Sequence, residues 1–384
     1  MPKLNPQILL WARESAGLTI EDAARGIGLS GENASARLAE MEAGEREPTR
    51  PQLLKMANRY RRPLLTFYLP EPPAAGPRTH DFRTLPERER GSEALLHALV
   101  RDVKTRQALV RSSLEDAEEG DRLPFVGSIN PADGPEALAT AMRRTVRFDR
   151  DAYRRARTID EAFRVLRDAV EAAGVYVLLM GNLGHHTSNL SPGVFRGMAI
   201  ADDVAPFIVI NETDARSAWP FTLLHELGHV LIGETGISGY DSDQASERLC
   251  DDAAARLLLD RDELYAIPRR QELDALVEDI GAFANARKVS RKMVAYNMLR
   301  AGIVPAVLYR RLADQFDEDR FEFARRAPGK GAPDYFVVRR HRVGQGLIRL
   351  VDRMMAEGVL TTTKASKVLG VKATAVGRMT ERAA

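Results

Sequence analysis

The pentapeptide His225-Glu226-Leu227-Gly228-His229 constrains this chain most, because the residues around it, Phe221–Leu231, read as one amphipathic helix. A helix turns once every ~3.6 residues, so positions four apart project from one face. His225 and His229 can therefore offer two imidazoles to a single divalent metal. Glu226 falls one residue on, beside such a metal rather than on it. There it can take a proton from water whose pKa a metal lowers from about 16 toward ~7. The frame of Thr222, Leu223, Leu224, Val230 and Leu231 suits a buried helix. Two core histidines at helical spacing are the alternative.

Zinc in a hydrolase usually takes three protein ligands and leaves one position for water, so a third donor is expected from a later segment. Ser246–Asp252 holds the candidates and opens the apolar helix Ala253–Leu259. Glu247 follows a loop, Gly233–Gln244, long enough for a return to the first helix. Asp251, four residues later on the same helical face, is a competing ligand or a partner to a histidine. Alternatively, both acids only complement a helix N-terminus. Zn²⁺ suits these ligand types, and the same set accepts Mn²⁺ or Fe²⁺.

H-E-x-x-H on a helix is the arrangement of zinc metalloproteases. The flanking segments resemble the ImmA/IrrE family of metallopeptidases, in the form that carries an N-terminal XRE-type helix-turn-helix domain. The resemblance is carried by Phe195-Arg196-Gly197-Met198-Ala199, by Ala205–Asn211 and by Asp214–Trp219, which leads into Phe221-Thr222-Leu223-Leu224 and the pentapeptide. Downstream, the pattern E-x-x-C-[ND]-x-x-A matches Glu247, Cys250, Asp251 and Ala254. The resemblance implies that Glu247 is the third metal ligand of a gluzincin-like endopeptidase. It also implies a protein substrate, typically a helix-turn-helix repressor whose cleavage releases stress-response or mobile-element genes. One departure is Leu258-Leu259-Asp260, where the family often has Leu-Leu-x-Pro; it touches a helix stop and no ligand.

The expected fold is mainly α with a small β-sheet: an α+β zincin-like peptidase domain plus an all-α N-terminal domain. Residues 1–69 read as the helix-turn-helix domain, 70–129 as a Pro-rich linker and bridging helix, 130–334 as the peptidase domain, and 335–384 as a basic helical region. In the peptidase part, helices are expected near 134–146 and 158–173. Strands are expected at Val175–Met180, Phe195–Ile200 and Phe207–Asn211. Net charge is +2, so no global argument for nucleic acid or membrane follows. The single cysteine, Cys250, excludes an internal disulfide and suits a reducing cytoplasm. It reads either as a small buried residue on the ligand helix or as a redox-sensing thiol. Met1-Pro2-Lys3-Leu4 lacks the apolar core of a secretory signal, and no apolar run approaches the ~18 residues of a membrane span. A cytoplasmic location is expected.

In the first 69 residues, Met41-Glu42-Ala43-Gly44-Glu45-Arg46-Glu47-Pro48-Thr49 resembles the tail of an XRE-type domain, whose second helix enters the major groove of DNA. Asn33 and Arg37 are the candidate DNA contacts, beside the opposing acids Glu32, Glu40 and Glu42. DNA binding, protein docking and homodimerisation all remain open. From Arg339 onward there are ten Lys/Arg against three acids, and Thr361–Val371 resembles the first half of another helix-turn-helix. Lys364, Lys367 and Lys372 are candidate phosphate contacts, or belong to a solvated basic face. A His or Tyr near the metal would stabilise charge on a peptide carbonyl oxygen, and His186 and Tyr240 are the candidates. A regulator of a different class remains as the alternative function, in which the zinc site is sensory or structural and nothing is turned over.

Overall fold

The computed structural model describes residues 4–73, 90–183, 188–237, 244–270, 272–326 and 334–381. The chain divides into two compact units, Met1–Asp102 with Asn182–Leu190, and Val103–Gly181 with Ser191–Ala384. None of the described helices is long and apolar enough to cross a membrane.

The first unit is built from α1 (Pro6–Glu14), α2 (Ile20–Ile27), α3 (Ala34–Ala43) and α4 (Arg50–Arg59), followed by a 3₁₀ turn at Leu64–Tyr68. Its helix starts are set locally. The Thr19 side chain accepts from the Asp22 N–H, and Thr49 with Gln52 forms a reciprocal capping box. Ile8, Leu9, Ile27, Leu38, Met56, Tyr60 and Phe67 fill the core. The charge of α3 is not what the sequence suggests. Glu42 turns inward, where Arg13 donates to it from Nε at 2.7 Å and from Nη2 at 3.1 Å, and Arg46 donates to Glu40 at 2.6 Å. Helix α5 (Arg90–Asp116) extends the expected Ser92–Leu114 at both ends.

The second unit carries α6 (Gly134–Thr145), α7 (Arg150–Arg155) and α8 (Ile159–Ala172), then β1 (Tyr176–Leu179), β2 (Gly197–Ile200) and β3 (Phe207–Ile210). Helix α9 (Trp219–Ile232), the two-residue β4 (Gly236–Ile237) and α10 (Gln244–Leu258) follow. The sheet order is β1-β3-β2-β4, with β1 parallel to β3 and the other pairs antiparallel. Both faces of β2 and β3 are buried, which is why these strands read as continuous apolar runs rather than alternating ones. Asp202 fixes the β2–β3 turn by accepting from the Val204 and Ala205 N–H groups. Helix α9 packs on β2 and β3 and takes α10 on its other side.

Three more helices, α11 (Leu273–Arg287), α12 (Arg291–Arg300) and α13 (Ala306–Arg326), continue the same hydrophobic core. The last four are α14 (Tyr335–Val343), α15 (Gln345–Ala356), α16 (Thr362–Leu369) and α17 (Val376–Thr380). A buried ion pair on α8 ties them down. Arg167 Nε donates to Glu171 Oε1 at 3.0 Å, while its Nη atoms donate to the carbonyls of Val177 in β1 and His341 in α14. Glu171 in turn accepts from the Gly346 N–H at 2.7 Å. Burial lowers the Arg167 pKa and raises that of Glu171, and the attraction between the two charges opposes both shifts.

Candidate metal centre

Helix α9 starts at Trp219 with Pro220 in its first turn, where a missing N–H costs nothing. The Trp219 indole donates to the Asp214 carbonyl at 3.2 Å. The helix stops at Gly233, whose positive φ of 77° lets the Glu234 N–H return to the His229 carbonyl at 2.9 Å. Between these ends the helix is almost wholly buried. His225 and His229 are each 5% exposed and Glu226 is 0% exposed.

Helix α10 meets α9 at a glycine. A Cβ on Gly228 would stand 2.9 Å from Cys250 Sγ and 3.2 Å from its Cβ, so the close approach needs the bare α-carbon inside the pentapeptide. That approach brings Glu247 to the histidines. Its Oε2 is 3.4 Å from His225 Nε2 and its Oε1 is 3.3 Å from His229 Nε2, while the two Nε2 atoms are 3.1 Å apart. Donors about 2.0–2.1 Å from a tetrahedral ion stand about 3.3 Å from one another. The spacing fits.

The outer ring nitrogens are also answered. Asp251 Oδ1 lies 2.9 Å from His225 Nδ1, and Glu234 Oε2 lies 3.4 Å from His229 Nδ1. Ser246 Oγ donates to the other oxygen of Glu234 at 2.7 Å. Carboxylates only accept, so they place the ring hydrogens at Nδ1 and leave the Nε2 lone pairs facing each other and Glu247. In that tautomer three acceptor atoms converge, an arrangement suited to a cation. The carboxylates around His225 favour positive charge at this point: burial, the largest influence, pulls its pKa down, yet Asp251, Glu247 and Glu226 outweigh it and, with no metal bound, hold it up at about 10. His225, His229 and Glu247 thus form a group that could hold a metal ion.

Asp251, which the sequence leaves between ligand and partner, lies on Nδ1, away from the converging atoms. Glu234 is a site residue that sequence reasoning missed. The available signal was an acid immediately after the glycine that ends the histidine helix. Gly197 was missed as well. A Cβ there would fall 2.7 Å from Glu226 Cδ and 2.8 Å from its Cγ, so β2 makes room for this carboxylate by carrying no side chain. Cys250 is wholly buried, and burial first, then the surrounding acids, pushes its thiol well above the usual range. That environment suits packing rather than redox sensing. Replacing Asp251 by Asn should weaken Zn²⁺ binding by about 10–100-fold without unfolding the chain, as read by competition with a chromophoric chelator.

The centre opens into a cleft of about 820 Å³ lined by Glu226, Glu247, Phe221, Arg196 and residues of α12 and α13. Residues 170–299 match the Peptidase_M78 family model, the IrrE N-terminal-like domain. The matched segment begins at the end of α8 and closes in α12, so it contains the sheet, both helices of the centre and part of the cleft wall. The match supports a metallopeptidase-type function for this region, and metal dependence goes with it. No curated protein and no solved structure matches the chain.

The remaining described candidates are not among the residues of this centre. His186 and Tyr240 fall outside the described residues. Asn33 is exposed at the start of α3, and Arg37, one turn on, is half-buried. Lys364 is half-buried on α16, whereas Lys367 and Lys372 are exposed.

Proposed function

We propose that the chain is a zinc-dependent endopeptidase in which His225, His229 and Glu247 hold the ion. The observation that carries this reading is the convergence of two imidazole Nε2 atoms and one carboxylate beside the buried Glu226, at the floor of an open cleft. A divalent ion at that point would polarise a peptide carbonyl and acidify water. Glu226 takes the proton of the attacking water and delivers it to the departing amine. Gly197 gives Glu226 its place, and Asp251 and Glu234 hold the two rings in the tautomer that binds a cation. A structural zinc site would close all four positions with protein ligands. Of the two candidate fourths, Asp251 is taken up by Nδ1 of His225, and His186 lies outside the described residues.

The substrate we infer is a helix-turn-helix repressor, or this chain's own Pro-rich stretch around 70–90, in the cytoplasm. The four-helix first unit supports it, since a module of this kind either pairs with a repressor of similar fold or brings the peptidase to DNA. With Glu42 and Glu40 drawn to Arg13 and Arg46, Asn33 and Arg37 meet less opposing charge on α3 than the sequence suggests. Lys364, Lys367 and Lys372 would add phosphate contacts. The test is intact-mass measurement of both chains after incubation with a helix-turn-helix repressor, with Zn²⁺ or Mn²⁺ and with chelator. A discrete metal-dependent cut in either chain supports the reading; intact chains under every metal would leave the sensory regulator as the better account.

A further inference from the structure

We propose that Arg196 selects substrates by binding an acidic side chain of the peptide in the cleft, an inference that rests on the peptidase reading above. The cleft wall carries the cations Arg196, Arg291, Lys292 and Arg300. Arg291 donates to Asp319 at 2.7 Å, Lys292 donates to Asp317 at 2.7 Å, and Arg300 is paired with Asp252. Each of those charges is answered within the wall. Arg196 has no carboxylate partner among the described residues, and it is exposed.

Its backbone is held firmly while its side chain is not. The Arg196 carbonyl accepts from the Asn211 N–H at 2.9 Å, and the buried Asn211 side chain donates to the neighbouring Phe195 carbonyl at 3.0 Å. The next residue, Gly197, pairs with Ile210 in the sheet and lies against Glu226. Arg196 therefore stands on a fixed strand end, one residue from the carboxylate that is to move the proton. Arg196 and Glu226 line the same cleft, so a peptide bound there is offered this guanidinium. A neutral side chain offers it nothing beyond the water it already has, and a basic one is repelled. A carboxylate accepts a charge-assisted, bidentate pair of hydrogen bonds from it.

The experiment uses the full-length zinc-loaded protein on a peptide library made by digesting a denatured proteome, with cut sites mapped by mass spectrometry. The expected result is Asp or Glu enriched roughly tenfold at one position relative to the cut. In Arg196→Glu that position should switch to Lys or Arg, and in Arg196→Gln the acidic preference should disappear. Because the readout is a ratio between peptides in one reaction, a general loss of activity or stability cannot imitate it. Cleavage without acidic preference, or a preference unchanged in both variants, would overturn the assignment of Arg196 and leave the peptidase reading standing. Absence of cleavage by the unsubstituted protein would overturn both.

Discussion

Glu226→Gln should slow peptide hydrolysis by about 10²–10⁴-fold while leaving zinc affinity and the unfolding midpoint close to those of the unsubstituted protein. The substitution keeps shape and removes the group that accepts the proton. Glu226 is completely buried, yet it lines the cleft beside the converging ligands. Its carboxylate lies against β2 where Gly197 has no side chain, so the amide of Gln fits the same space. The checks are kcat on a peptide cut by the unsubstituted protein, zinc content, and a urea titration. If the variant lost its zinc instead of its activity, Glu226 would be a ligand and the division of roles would be wrong.

Arg167→Met should destabilise the second unit by about 3–5 kcal/mol, because it leaves Glu171 as a buried carboxylate with no cation. It also removes the donor that joins the carbonyls of Val177 and His341, and with them the hold of α8 on β1 and α14. Total stabilities of domains are about 5–15 kcal/mol, so the loss is a large share. Adding Glu171→Gln should recover part of it, since the amide can be buried at lower cost while still accepting from Gly346. Urea denaturation of the two single variants and the double variant measures this directly. Additive losses in the double variant would show that the two charges do not support each other.

Much of the centre was legible in the sequence because a helix converts spacing into position. His225 and His229 had to share a face, and Glu247 and Asp251 had to share another. What spacing could not supply was which atom of each group meets which. That Asp251 takes Nδ1 of His225 while Glu247 takes Nε2 depends on how closely α10 approaches, and so on the Gly228–Cys250 contact between segments that only the fold brings together. Gly197 and Glu234 were hidden for the same reason. One matters by its missing side chain, the other by a left-handed cap that turns the chain under His229.

The fold shows the same division. The apolar runs marked β1, β2 and β3 to within a residue or two, whereas β4, two residues long, has no pattern to read. Arg167 sits in the apolar stripe of α8 beside Phe163, Leu166 and Val170. A charge four residues from an opposite charge usually signals an exposed pair. Here both side chains are buried, with Arg167 donating to the carbonyls of β1 and α14 and Glu171 accepting from the Gly346 N–H. Glu42 was misread in the opposite sense, counted as surface charge on α3 when Arg13 holds it inside.

The most direct test of the central claim is a zinc titration followed by native mass spectrometry of the full chain, beside Glu226→Gln, His229→Ala and Glu247→Ala. The account predicts one tightly held zinc in the unsubstituted protein and in Glu226→Gln, and its loss in the other two. Zinc that stays bound when Glu247 or His229 is removed, or no bound zinc in the unsubstituted protein, would contradict it.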